Sequence, residues 1–177
     1  MIKKLVMSLL LVGAIFSAQA DEVPAVGGMA PAFSLVDQSG REVTLDSLRS
    51  KWLVLYFYPK NDTPGCTEEA CSFRDDMAEL TRLGAQIVGV SVAETASNAE
   101  FASKYHLPFP LLADRDGAVA KRYGAFSDWL VTGFARRYTF LIDAQGKIAK
   151  TYLKVDTSKH SAEIIADLKQ LSSSSGK

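Results

Sequence analysis

Cysteine and histidine are scarce in this chain, two of each among 177 residues. So few cysteines exclude a disulfide-dense scaffold. A zinc site is equally poorly served, since His106 and His160 lie far apart in sequence and no second Cys or His pair stands near Cys66 and Cys71. Both histidines read as ordinary surface or boundary residues, and no metal or cofactor is implied. Excess charge of either sign is missing too: 20 basic residues face 20 acidic ones, and no stretch gathers Lys and Arg, which argues against a nucleic-acid partner. Beyond the first twenty residues there is no long apolar run, so no membrane association is expected of the remainder. Repeats are absent. The single low-complexity stretch is the tail at 172–177, expected to be loose.

What the chain does have begins at its N-terminus. "MIKKLVMSLLLVGAIFSAQA" opens with Lys3 and Lys4, continues as an apolar run from Leu5 to Phe16, and ends Ala18-Gln19-Ala20. That is the three-part layout of a cleaved secretory signal, with cleavage expected after Ala20. The run is short of the ~20 apolar residues that span a bilayer. The expected mature protein, residues 21–177, is a single domain working in the periplasm or another extracytoplasmic space. Losing Lys3 and Lys4 leaves it only slightly acidic.

The body of the chain alternates strand and helix signals. Two short alternating runs flank Asp37–Gly40 and predict an N-terminal hairpin. "WLVLYFY" (52–58) and "AQIVGVSV" (85–92) are apolar runs suited to central strands buried on both faces. Between them, Ala70, Phe73, Met77 and Leu80 recur at helical spacing up to the stop at Gly84, which makes a parallel βαβ unit. A helix over 96–105, a strand at 110–114, a short helix over 116–123 and a hairpin turning near Ala144–Gly146 follow. An amphipathic helix then presents Ile164, Ile165, Leu168 and Leu171 inward. The fold class is α/β: a central mixed sheet flanked by helices.

Cys66 and Cys71 stand five positions apart in "YPKNDTPGCTEEACSF". On a regular helix their Cα atoms would lie about 8–9 Å apart, beyond the ~7 Å that a disulfide tolerates without backbone movement. A bond between them therefore requires the helix start to unwind. The pair is a poor staple and a good switch. Cys66 follows the break at Pro64-Gly65, in the first turn, where unpaired amides and the helix dipole favour a thiolate. It shares the inward face of Ala70, Phe73 and Met77, whereas Cys71 lies on a different face. This suggests a thiolate that attacks an oxidant, becomes a sulfenic acid and condenses with the second cysteine. Glu68 and Glu69 read as ordinary first-turn acids, but so close to Cys66 they oppose a thiolate, and something cationic must outweigh them.

Pro59, Thr63 and Cys66 stand as P-x-x-x-T-x-x-C, and "TPGCTEEAC" resembles the active-site segment of the peroxiredoxins. The similarity is greatest to the bacterioferritin-comigratory-protein or PrxQ subgroup, with its second cysteine five residues on. It continues through "GGMAPAFSL", "LVLYFYPKNDTPGCT", "IVGVSV", "FPLLAD" and "RYTFLIDAQGKI", over most of residues 27–153. The resemblance implies a thioredoxin-like fold and reduction of hydrogen peroxide or organic hydroperoxides. It implies Cys66 as the peroxidatic sulfur, Cys71 as its resolver in the same chain, Thr63 as a hydrogen-bond partner of peroxide and thiolate, and Pro59 as a shield against water. The missing cation would be an arginine before "TFLID". Arg136 and Arg137 are adjacent there, and R-x-T-F matches Arg137, leaving Arg136 as a solvated charge. A thioredoxin-like dithiol protein would restore the thiols. A resolver within the chain makes a monomer sufficient.

Two features depart from the subgroup. The export signal leaves the electron donor open. The stretch "FSDWLVTGFA" (126–135) is short and apolar, with Trp129, Leu130 and Phe134 expected in the core and a docking surface as the other reading. Two other functions would use parts of the same residues: a thiol–disulfide exchanger acting on proteins, and a non-catalytic binding domain whose cysteines are merely bridged. The first fits the x₄ spacing and Thr63 poorly. The second leaves the set Pro59, Thr63, Cys66 and Arg137 without a purpose.

Overall fold

The computed structural model describes residues 22–128 and 133–174. The expected leader at 1–20, together with Trp129 and Leu130, lies outside them. Nine strands and five α-helices are described: β1 (Ser34–Val36), β2 (Glu42–Thr44), β3 (Trp52–Phe57), α1 (Pro64–Asp75), α2 (Met77–Arg82), β4 (Ala85–Ser91), α3 (Thr95–Lys104), β5 (Leu111–Ala113), α4 (Ala118–Arg122), β6 (Phe126–Ser127), β7 (Phe134–Ala135), β8 (Thr139–Ile142), β9 (Ile148–Tyr152) and α5 (His160–Ser174). Seven strands form one mixed sheet in the order β2-β1-β5-β4-β3-β8-β9. β3, β4 and β5 run parallel, and β8 lies antiparallel against β3, pairing Tyr56 with Thr139 and Leu55 with Phe140.

β3 is central because nearly all its side chains are apolar and buried, as a strand covered on both faces requires. The pleat divides them. Leu53, Leu55 and Phe57 join Phe33, Val88, Val90, Tyr123 and Phe140 on one face of the sheet. Val54, Tyr56 and Tyr58 join Phe73, Ile87, Phe101, Leu141, Ile164 and Leu168 on the other, and Cys66 belongs to this second core. Each large side chain buried this way is worth about 1.5–3 kcal/mol against exposure. Gly89 of β4 makes room for the second core: a Cβ there would come within 2.8 Å of both Leu111 and the Tyr56 ring.

The N-terminal hairpin closes as its composition predicts. Asp37, fully buried, accepts hydrogen bonds from the amides of Ser39 (2.7 Å) and Arg41 (3.0 Å), and Gly40 takes the positive φ of 76° that the turn needs. Three expectations change. The single helix expected after Cys66 is interrupted at Asp76, whose φ of −92° and ψ of 6° end α1 before α2 begins. The stretch 126–135 contributes a separate two-strand ribbon, β6 with β7. Phe126 lies over Gly117 and Gly133, where any Cβ would meet its ring at 2.2 Å and 2.0 Å, and Phe134 is half-buried. At the C-terminus, α5 runs to Ser174, so the start of the tail expected to be loose is helical.

Candidate active site

The chain leaves β3 at Phe57, and Tyr58 still donates its amide to the Val90 carbonyl (3.1 Å). The loop from Pro59 to Asp62 then turns it into α1. Asp62 adopts φ 58°, a conformation Asp tolerates better than most residues, and its carboxylate pairs with Lys104 at 2.7 Å. A buried network holds the loop: the Tyr58 hydroxyl donates to Asn61 Oδ1 (2.9 Å), and Asn61 Nδ2 donates to Ser97 Oγ (2.8 Å) and Asn98 Oδ1 (3.0 Å). Thr63 is the extended N-cap residue and Pro64 opens the helix, where its missing N–H costs nothing. The Thr63 hydroxyl does not cap α1; it donates to the Lys60 carbonyl at 3.1 Å. The amides of Gly65 and Cys66, in the first turn, have no intrahelical acceptor.

Cys66 is 1% exposed. Arg137, in the bend before β8, donates from Nη2 to the Cys66 sulfur at 3.1 Å and from Nη1 to Glu69 Oε2. Arg136 is exposed. Gly65 lies against the guanidinium: a Cβ there would stand 3.4 Å from Nη2, in van der Waals contact, and a larger side chain would press on it. Cys71 is half-buried and unbridged, and both cysteines sit within the unbroken helix α1. The requirement that the helix unwind before they can bond therefore applies. Pro59 lines a neighbouring cleft of about 630 Å³ with Asn61, Val92 and Phe134. Among the described residues, no cluster of three or more His, Cys, Asp or Glu could hold a metal ion.

Two residues read as ordinary in the sequence are part of this site. Glu69 is fully buried, and it and Arg137 bond directly. Burial pushes its carboxyl up to about 7, against the opposing pull of the Arg137 charge. His160 is a correction to the surface placement: it is fully buried, between Phe73 and Tyr152, with Nε2 2.9 Å from Thr139 Oγ1. Burial, assisted by the Arg137 charge, drops its imidazole to about 4, so it is neutral at neutral pH. Both were discoverable. Glu69 lies three residues after Cys66 on the inward face of α1, and His160 lies four before Ile164 on the inward stripe of α5. Polarity alone sent them to the surface.

Comparison with known proteins decides the family. Residues 26–151 match the model of the AhpC/TSA family. The chain is 42% identical over 149 residues to a putative peroxiredoxin bcp of Coxiella burnetii, covering 81% of this chain and 97% of that protein. To peroxiredoxin Bcp of Bacillus subtilis it is 40% identical over 154 residues, covering 83% and 96%. The chain belongs to the AhpC/TSA family, as a peroxiredoxin of the Bcp/PrxQ kind. Solved structures agree: peroxidoxin BcpB of Mycobacterium tuberculosis superposes with a TM-score of 0.78 at 34% identity, covering 82% of this chain and 96% of that one. PrxQ of Xylella fastidiosa, in a C47S mutant, gives 0.78 at 27% identity, covering 84% and 97%. The fold of this peroxiredoxin is thus thioredoxin-like, and the enzyme is a thiol peroxidase.

Proposed function

We propose that Cys66 is the peroxidatic sulfur of this peroxidase, that Cys71 resolves it within the same chain, and that Arg137 stabilises the reacting charges. The observation that supports this most is the guanidinium Nη2 at 3.1 Å from a thiol with 1% exposure in the first turn of α1. The Cys66 thiolate attacks the terminal oxygen of RO–OH. The S–O bond forms as the O–O bond breaks, and RO⁻ departs and is protonated to ROH. Negative charge moves from sulfur to the leaving oxygen, and fixed donors at that position lower the barrier. Thr63 joins by exchanging the Lys60 carbonyl for a peroxide oxygen, since one hydroxyl proton serves one acceptor at a time. Pro59 shields the approach.

The sulfenic acid then waits for α1 to open. Cys71 attacks the Cys66 sulfur and displaces the hydroxyl as water, leaving a disulfide that a thioredoxin-like dithiol protein reduces. We further propose that the enzyme is exported, with cleavage after Ala20, and acts as a monomer on hydrogen peroxide and organic hydroperoxides. Mass spectrometry after one equivalent of peroxide tests the cycle: a loss of two hydrogens and a Cys66–Cys71 cross-linked peptide within one chain are expected. A cross-link between chains would overturn the monomeric cycle. Disulfide transfer to a scrambled protein without peroxide, with no peroxide consumed, would favour the exchange reading.

A further inference from the structure

We propose that Cys66 and Glu69 share one negative charge under Arg137, the Glu69 carboxyl taking up a proton as the thiol ionises and releasing it as the sulfur is oxidised. This rests on Cys66 being the attacking sulfur. The guanidinium divides its two ends, Nη2 to the sulfur at 3.1 Å and Nη1 to Glu69 Oε2. Two buried acids thus flank one partly exposed cation, and two anions there would leave an unpaired buried charge. Carboxylate pairs that share a site resolve the same conflict by holding one proton between them.

Among the described residues, the surrounding groups supply no second cation. From α5, His160 Nε2 lies 3.9 Å from Glu69 Oε1, and burial keeps that imidazole neutral above about pH 4. Its Nδ1 lies 3.8 Å from Glu163 Oε2, an acid on the outer side. β8 presents the Thr139 hydroxyl, while β3 presents Tyr56 and Tyr58, whose phenols burial holds in their neutral form. β9 contributes Tyr152, packed on the His160 ring. Arg137 is the cation that both Cys66 and Glu69 touch.

Glu69 is equipped for the exchange. Oε2 is held by Arg137, while Oε1 is buried with no hydrogen-bond partner. An orphaned carboxylate oxygen in the interior is costly, and a neutral carboxyl left short of one partner there is less so. The upward displacement of the carboxyl by burial agrees with this. The proton then balances through the reaction. Cys66–SH with Glu69–COO⁻ becomes Cys66–S⁻ with Glu69–COOH. Attack on RO–OH forms the S–O bond, breaks the O–O bond and gives Cys66–SOH and RO⁻. Glu69 ionises against the Arg137 charge that the sulfur has vacated, and the proton it gives up balances the one that RO⁻ takes from the site to become ROH. Glu69 acts on the sulfur through Arg137 and is a positioning residue.

The test uses the full chain carrying Cys71→Ser, where Cys66 is the only thiol, and reads the pH midpoint of its alkylation by iodoacetamide. Glu69→Gln keeps an acceptor for Arg137 and removes the competing charge. The midpoint is expected to fall by about one pH unit or more, and peroxide consumption below the midpoint to rise about tenfold. An unchanged or higher midpoint would mean that Glu69 only orients Arg137, and the proposal would be overturned. Where Glu69→Gln fails to fold, infrared difference spectra of the protein with Glu69 intact decide. One equivalent of peroxide is expected to remove a protonated-carboxyl band that shifts on ¹³C-glutamate labelling, and its persistence would overturn the proposal. If peroxide leaves Cys66 unoxidised in that protein, the peroxidatic assignment falls and this inference with it. If Cys66 is oxidised and the midpoint fails to drop, only the charge sharing falls.

Discussion

The Cys66 sulfur, 1% exposed in the core that holds Tyr56, Tyr58 and Phe73, has little bulk water to stabilise a charge, so in the proposed reaction fixed donors carry that task. Arg137 supplies a planar fork with one end on the thiol and the other on Glu69. Replacing it by Met is expected to slow peroxide reduction about 10²–10³-fold, measured as the second-order rate of sulfenic acid formation. Lys, a point charge on a shorter reach, should recover only a small part. Gly65→Val should act through the same contact, since even a Cβ there stands 3.4 Å from Nη2. Activity is expected to fall at least tenfold with the thermal midpoint nearly unchanged; retained activity would mean that the guanidinium has room to give. The R-x-T-F spacing pointed to Arg137, the residue whose guanidinium lies on Cys66. No motif pointed to Glu69: it lies in the second turn of α1, and only its spacing from Cys66 and Phe73 on the inward face signalled the burial that the packing of α5 over α1 completes.

In the proposed cycle helix α1 has two states to serve. Intact, it holds Cys66 against Arg137; opened, it would let Cys71 reach the sulfur. Its ties to the rest of the molecule include Glu68 to Thr157, Glu69 to Arg137, and Arg74 to the Tyr105 carbonyl at 2.8 Å. Disulfide formation is expected to lower helicity in the far ultraviolet and to speed hydrogen exchange of the amides between Gly65 and Cys71, with β3 and β4 unaffected. Cys71→Ser should form the sulfenic acid at the normal rate yet fail to turn over with a dithiol protein; normal cycling would remove Cys71 from the reaction. The periodicity of Ala70, Phe73, Met77 and Leu80 made the helix and its inner face legible. The interruption at Asp76 was not, since the apolar spacing runs through it undisturbed and one residue's backbone angles make the break.

For the molecule as a whole, two buried groups set opposing pH dependences. His160 falls from an ordinary 6.5 to about 4, so the stability it contributes is present above pH 6.5 and lost as pH falls toward 4. Glu69 rises from an ordinary 4.5 to about 7, so its contribution is present below pH 4.5 and lost as pH rises toward 7. Between 4.5 and 6.5 the slopes nearly cancel. In a Cys66→Ser background, His160→Gln should leave stability falling with pH by up to about 1.4 kcal/mol per unit across that window. Glu69→Gln should leave it rising by as much, both measured by urea unfolding against the parent. Parallel profiles in the two variants would show that the groups do not titrate as described. The proposed export belongs to this scale as well: when the full sequence is expressed in a secretion-competent host, the intact mass of the recovered protein is expected to correspond to a chain beginning at Asp21.

Local chemistry settled much of this protein before any folding. The period of the apolar residues, the turn at Asp37–Gly40 and the proline and glycine before Cys66 determine strands, hairpins and a helix start, because each acts over a few neighbouring residues. The distance between two cysteines on one helix is likewise a property of the helix alone. The tertiary structure decided what crosses the chain. It set Arg137 between Cys66 and Glu69, seated His160 beneath them, gave Thr63 to Lys60, and closed β6 and β7 around Phe126. Burial and charge pairing depend on which distant segments are packed together, and a residue's own neighbours in sequence carry no record of them.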